Sequence, residues 1–448
     1  MKIVCHFKPT EKQRAALNIL SDDSHKYVLY GGSARSGKTY LGCYWVTKLC
    51  MQYPGTRYLI ARKQLSDLKA TTMKTLFEKL FPALGIDASF YDYNAQDKEL
   101  IFFNGSTILF RQLFYKPSDP LVQELGSLEL TSSWIDEAGE IVFMVYDILK
   151  SRTGQWRNSE YNIPGKILLT SNPVKNWLYT SFFKPTKDGT ITPERIFIPA
   201  LPTDNEYLTQ AELENLKNIT DSITRERLLH GAWEYADEPG MLIEYENIVN
   251  LFANDAIPDG AGFITCDAAR YGSDKAVIIR WSGLRAEDIY TFEKSATTEI
   301  EDKIREIAKD NNITMLSVIV DDDGVGGGVV DHLHCRGFIN GSHPIASENY
   351  QNLKCQCYYK LAEMINHNRI FIKTNGETVK NTIIEELEQV KQRDVDSDGK
   401  LSVMPKERIK EILGRSPDFA DSLMMRMYFE IQPRYHTLLY VPRRHNRI

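Results

Sequence analysis

The chain is poor in cysteine, seven in 448 residues, and those seven form no framework. Cys5, Cys43, Cys50, Cys266 and Cys335 stand apart. Cys355 and Cys357, in KCQCYYK, have no second Cys pair or His cluster at zinc spacing. A disulfide-stapled or zinc-ribbon scaffold is therefore excluded, and reduced thiols are expected. Long apolar runs are missing too. No segment approaches the roughly 20 apolar residues of a membrane span, and MKIVCHFKPTEKQ lacks the apolar core of a signal peptide. The expectation is a soluble protein of the cytoplasm with no membrane partner. Nor is there a strong excess of either charge: 54 Lys and Arg against 60 Asp and Glu leave a net −6. That speaks against a protein that coats nucleic acid over its whole surface. A local basic groove depends on distribution rather than on the sum. Internal repeats and low-complexity tracts are also absent. What remains is an ordinary globular composition, 42% hydrophobic and 25% charged, sized for two or three domains of roughly 100–200 residues.

The first half alternates strand-like and helix-like segments. KYVLYGG, TRYLIAR, STILFRQL and GKILLTSNP read as strands, and TYLGCYWVTKLCM places Leu41, Tyr44, Trp45 and Leu49 at helical spacing. Such alternation predicts a mainly parallel sheet covered on both faces. From about Pro199 to Gly240 the chain becomes polar and punctuated by Pro and Gly, which predicts a linker with small helices. A second α/β pattern follows: GFITCDAARYGSDKAVIIRWSG as two strands and a turn, MLSVIVDDDGVGGGVVDHL as strand, turn and helix, and SPDFADSLMMRMYFE as a helix capped by Ser416 or Asp418 with Pro417 near its first turn. The expected division is residues 1–198, a helical linker 199–242, residues 243–432, and a basic tail 433–448.

Residues Gly32, Ser33, Ala34, Arg35, Ser36, Gly37, Lys38 and Thr39 fit G-x-x-x-x-G-K-[ST] at every fixed position, between a strand and a helix. Glycines let backbone N–H groups turn toward phosphates, and the helix N-terminus faces the same anion. Lys38 would reach the β/γ phosphates of ATP and Thr39 would hold Mg²⁺. Such a loop needs an acidic partner on a neighbouring strand. SSWIDEAGE supplies Asp136 for the ion and Glu137 to polarise the attacking water. Asn172, in TSNP, would sense the γ-phosphate; its alternative is an ordinary Asn-Pro turn. Gln13 could read the adenine edge, and Arg152 could serve as an arginine finger on a neighbouring subunit. Each of these two is also readable as a plain surface residue.

The second half carries separated acids: Asp267 ending one strand, Asp321 ending another with Asp322 and Asp323 behind it, and Asp418 and Asp421 on one helix face. Hard divalent ions prefer carboxylate oxygens. Two of them about 4 Å apart activate water and stabilise the leaving oxygen in phosphodiester hydrolysis. Converging carboxylates would repel one another without bound cations. Asp267, Asp321 and Asp418 are thus expected to hold Mg²⁺ or Mn²⁺ in an RNase H-like nuclease. DVDSDGKLSVMP starts like a calcium loop at Asp394, Asp396, Asp398 and Gly399. Pro405, however, stands where the bidentate Glu belongs, so a β-hairpin turn is expected.

In the order P-loop, acid pair, TSNP, LLHGAW, Asp strand, DDDGVGGGVVDHL and GRSPDFADSLMM, the sequence resembles the large terminase subunit of tailed bacteriophages and prophages, from about Phe7 to Phe429. The resemblance implies an α/β protein with two parts. The first is an N-terminal additional-strand RecA-like P-loop ATPase that drives double-stranded DNA into a procapsid. The second is a C-terminal RNase H-like endonuclease that cuts concatemeric DNA. It implies a ring homo-oligomer docked on a portal ring, a small terminase subunit as partner, and work in the host cytoplasm. On this resemblance Arg35 matches an arginine frequent within the loop, and Asp421 a further metal-site acid. Two other readings remain: a helicase or repair-type ATPase whose C-terminal domain binds nucleic acid, and a C-terminal docking module with inert acids.

Overall fold

The computed structural model describes residues 8–115, 122–235, 240–269, 275–293, 296–324, 326–374, 376–393 and 399–432. The basic tail and the acidic turn at 394–398 lie outside them. The chain folds as two compact units. One comprises 1–252, 374–389 and 405–417, and the other 253–373, 390–404 and 418–448. The segment expected as a linker, 199–242, falls within the first unit. So do two stretches of the second half, Thr374–Gln389 and Pro405–Pro417.

The apolar runs of the first half form one eight-stranded sheet: β1 (Tyr27–Gly32), β2 (Arg57–Arg62), β3 (Tyr91–Asn94), β4 (Glu99–Phe102), β5 (Thr107–Gln112), β6 (Ser132–Ile135), β7 (Ile167–Ser171) and β8 (Arg195–Ala200). Their order is β3-β4-β5-β2-β6-β7-β1-β8. The six strands from β5 to β8 are parallel, and β3 and β4 add an antiparallel hairpin at one edge. Every residue of β6 and β7 is buried, as parallel strands covered on both faces require. β7 lies between β1, which carries the glycine-rich loop, and β6, which carries the acid pair. That is the additional-strand, RecA-like arrangement. In open α/β sheets ligands sit outside the carboxyl ends of the strands, and there Gly32, Asp136 and Asn172 emerge side by side.

The second unit holds β9 (Gly262–Asp267), β10 (Ala276–Ser282), β11 (Arg285–Phe292), β12 (Val318–Asp321), β13 (Arg336–Phe338) and β14 (Phe371–Ile372), in the order β13-β12-β9-β10-β11-β14. β9, β10 and β11 are an antiparallel meander. β12 and β13 run parallel to β9 on its other side, an RNase H-like sheet. The helix Thr297–Asp310 covers one face through Ile300, Ile304 and Ile307, at helical spacing. The last long helix, Asp418–Met425, begins at Asp418 itself. Six cysteines, Cys43, Cys50, Cys266, Cys335, Cys355 and Cys357, are free thiols. No helix among the described residues is long and apolar enough to cross a membrane.

Candidate functional sites

The glycine-rich loop is shaped by steric necessity. A Cβ on Gly32 would lie 1.9 Å from the Ala200 carbonyl oxygen of β8. Gly37, at φ 79°, is in the left-handed region that glycine adopts without strain, and it opens the helix Lys38–Gln52. The loop and the start of that helix line a cavity of about 380 Å³, with Thr39, Glu137 and Asn172 on its walls. Lys38 Nζ donates to the Ser33 carbonyl at 2.6 Å, to the Gly32 carbonyl at 3.3 Å and to Asn172 Oδ1 at 3.0 Å. Burial holds its ammonium below the usual lysine range, against the pull of Glu137 and Asp136.

Asp136 follows β6 and is held from three sides. Thr170 Oγ1 donates to its Oδ1 at 2.7 Å. Thr72 Oγ1 and Thr39 Oγ1 donate to its Oδ2 at 2.6 and 3.4 Å. Thr170 Oγ1 in turn accepts from Trp134 Nε1 at 2.9 Å. Glu137 sits at φ 51°, a left-handed backbone that a non-glycine residue adopts at some cost. Burial pushes its carboxyl above the ordinary glutamate value, with Lys38 and Arg62 opposing and Asp136 adding to the rise. Asn172 Nδ2 donates to both Glu137 oxygens at 3.3 Å while its Oδ1 accepts from Lys38. One amide thus spans the cation and the carboxylate.

The remaining expected residues take varied places. Ser33 N and Ala34 N donate to the carbonyls of Ala200 and Leu228. Ser36 Oγ donates back to the Ser33 carbonyl. Arg35, at φ 59°, pairs with Glu212, and its carbonyl accepts from Asn205 Nδ2 at 2.7 Å. Gln13 lines a neighbouring cavity of about 290 Å³ together with Tyr40 and Tyr207. Both ends of its amide are engaged, Oε1 by Thr10 N and Nε2 on the Gly37 carbonyl. Arg152 lies in the bend after the helix Phe143–Lys150, and its carbonyl accepts from Leu130 N. It does not line the loop's cavity. Thr72 and Arg62 carried no local signal, because their partners are 64 and 78 residues away.

In the second unit the register decides which acids meet. Val320 pairs with Cys266 in parallel, so Asp321 and Asp267 end adjacent strands side by side. Burial and the charges of Asp267 and Asp321 push the Cys266 thiol well above its ordinary value. Asp322 alternates to the other face, packed where a Cβ on Gly337 would lie 2.3 Å from its Oδ2. Of the three consecutive acids, Asp321 is the one beside Asp267. Asn340 Nδ2 donates to Asp321 Oδ1 at 3.0 Å and to Asp323 Oδ2 at 2.7 Å. Ser422 and Thr265 share a hydroxyl hydrogen bond at 3.1 Å, which ties the last helix to β9. Asp418, one turn before Ser422, therefore faces β9 as well, and its Oδ2 accepts from Lys275 N at 2.9 Å. Asp421 Oδ1 accepts from Lys354 Nζ at 2.8 Å and from Tyr358 OH at 2.6 Å. Among the described residues no three His, Cys, Asp or Glu side chains are drawn together as a ready ligand set. Asp267 and Asp321 end adjacent strands and Asp418 stands on the helix tied to β9; all three are carboxylates, the donor chemistry that suits Mg²⁺ or Mn²⁺.

Residues 24–226 match the family model described as phage terminase large subunit. A comparison with curated proteins found no match. Among solved structures the chain is similar to the large terminase of a thermophilic bacteriophage, at 14% identity and TM-score 0.42, covering 95% of this chain and 100% of that one. It is similar to the HK97 bacteriophage large terminase at 10% identity and TM-score 0.47, covering 94% and 95%. It is also similar to the nuclease domain of the large terminase subunit gp2 of bacterial virus Sf6, at 21% identity and TM-score 0.38, covering 42% and 97%. The residues matched by the family model include the glycine-rich loop, the acid pair and Asn172. Over residues 24–226 the chain is similar to the phage terminase large-subunit family.

Proposed function

We propose that this chain is a viral DNA-packaging motor: it hydrolyses ATP to move double-stranded DNA into a procapsid and cuts the concatemer at the start and end of packaging. The observation that carries the reading is the Asn172 amide, which links Lys38 to Glu137 at the mouth of the phosphate loop. The chain that holds it has a second acid set on an RNase H-like sheet. In the first site Lys38 and the helix N-terminus bind the β/γ phosphates, replacing the loop carbonyls that Lys38 now holds. Thr39 and Asp136 would hold Mg²⁺, which when bound neutralises the phosphate charge. Glu137 accepts the proton of the attacking water, and burial tunes its basicity upward. Asn172 feels the γ-phosphate through Lys38 and reports it to Glu137.

In the second site Asp267, Asp321 and Asp418 would hold two divalent ions, Mg²⁺ or Mn²⁺, which supply an activated water and stabilise the leaving oxygen. Asn340 fixes one oxygen of the Asp321 carboxylate. A portal ring, a small terminase subunit and a homo-oligomeric ring on the portal, in the host cytoplasm, complete the proposal. The test is a crossed pair of variants. Lys38→Ala should abolish ATP hydrolysis while leaving Mn²⁺-dependent plasmid cutting, and Asp267→Asn should do the reverse. An Asp267→Asn protein that cuts as well as its parent would defeat the nuclease assignment. ATP-driven unwinding of a forked duplex would favour a helicase instead.

A further inference from the structure

We propose that Lys354 contacts the phosphate backbone of the DNA strand being cut, and that Asp421 is the positioning residue that holds Lys354 there rather than a metal ligand. The proposal rests on the nuclease reading of the second acid set. Asp421 follows Asp418 by three residues, and spacing alone would assign it to the same ions. Its surroundings argue otherwise. One oxygen, Oδ1, already accepts from the Lys354 ammonium at 2.8 Å and from the Tyr358 phenol at 2.6 Å. Both donors come from one face of the helix Leu353–Asn366, four residues apart. The Asp421 side chain is only 7% exposed, so this arrangement is enclosed. A divalent ion bonded to the same carboxylate would lie against an ammonium, and like charges at that range repel strongly.

Lys354 is at the same time tied to the acid set. Its backbone N–H donates to the Asn340 carbonyl at 3.3 Å, and the Asn340 side chain holds Asp321. An ammonium carries three donors, and Asp421 accepts one. The acids that would hold the ions repel a phosphodiester by their own charge. A fixed cation at their rim offsets that repulsion and positions the strand, as lysine clamps do at other phosphoryl sites. The Lys354 side chain is 18% exposed, so it is not sealed from solvent.

The test uses the full chain and five proteins: the parent, Asp421→Asn, Lys354→Gln, Lys354→Arg and Asp267→Asn. Asp267→Asn identifies, by calorimetry with MnCl₂ and no DNA, the Mn²⁺ binding that belongs to this site. Asp421→Asn and Lys354→Gln should leave that binding within about twofold. Both should raise KM for cutting a short duplex about tenfold, the scale of one charge-assisted contact. The salt dependence of duplex binding, measured without metal, should lose about one unit of slope in Lys354→Gln and regain it in Lys354→Arg. A purely structural lysine would not move that slope. Mn²⁺ binding weakened tenfold or more in Asp421→Asn overturns the proposal while leaving the nuclease reading intact. So does a Lys354→Gln protein with unchanged slope and cutting, which decides the matter even if Asp421→Asn does not fold. A parent with no Asp267-dependent Mn²⁺ binding overturns the nuclease reading and the proposal with it.

Discussion

Thr170 is the residue whose loss the structure prices most sharply. Its hydroxyl is fully buried. It gives its one proton to Asp136 and accepts the indole proton of Trp134, itself fully buried. Thr170→Val keeps the shape and deletes both bonds. Losing a hydrogen bond to a carboxylate costs about 2 kcal/mol, and leaving the indole N–H buried without an acceptor costs a further ~1–3 kcal/mol. For a unit of this size each kcal/mol lowers Tm by roughly 2–4 °C, so a fall of about 10 °C is expected. Two units need not melt together. The transition to read is the one that Mg·ATPγS raises, since a ligand stabilises the unit that binds it. Thr170→Ser keeps the hydroxyl and loses only a methyl, at about 1 kcal/mol. Differential scanning calorimetry on the three proteins decides. A Thr170→Val transition within 2–3 °C of the parent, roughly the shift of a single kcal/mol, would refute the account of how Asp136 is held.

Gly42→Ala should lower the same transition, because a Cβ there would lie 2.2 Å from the Trp134 ring. Overpacking of this kind costs about 1–3 kcal/mol, and an unchanged Tm would show that the ring can move aside. Acid should weaken the first unit through Glu377. Burial raises its carboxyl, but two hydrogen bonds and the charge of Arg195 outweigh this and hold it below its ordinary value of 4.5. A depressed folded pKa gives stability that is present above 4.5 and lost as pH falls through the folded value. Glu377→Gln should therefore flatten the acid limb of Tm against pH, and an unaltered limb would remove Glu377 from the account. For Glu137 the sign is opposite. Its raised pKa predicts that kcat for ATP falls on acidification while the pH is still above the ordinary glutamate value, and a rate flat down to that value would argue against Glu137 as the base.

The long parallel strands were legible because burial on both faces writes continuous apolar runs, as in ILLTS of β7. The P-loop was legible because its residues are local to one turn. The hairpin of β3 and β4 was not, since Tyr91–Asn94 alternates half-buried and exposed residues at a sheet edge. Nor was the lodging of Glu377–Leu387 in the first unit. It depends on contacts such as Glu385 accepting from Phe143 N, 242 residues away. In the second site the acids were visible as strand-end aspartates. The choice of Asp321 over its two neighbours needed the register of β12 on β9. The partners of Asp421 could not be read at all, because Lys354 and Tyr358 look like any charged and aromatic pair on an amphipathic helix.

One chain is proposed to hold both an ATP-driven motor and a metal-dependent nuclease, and the second activity turns on where a divalent ion binds. Crystals soaked in Mn²⁺ and measured at the manganese edge should show anomalous density within ~2.0–2.6 Å of carboxylate oxygens of Asp267, Asp321 and Asp418, and none bonded to Asp421. Density absent from those three carboxylates at millimolar Mn²⁺, or centred elsewhere on the chain, would contradict the account.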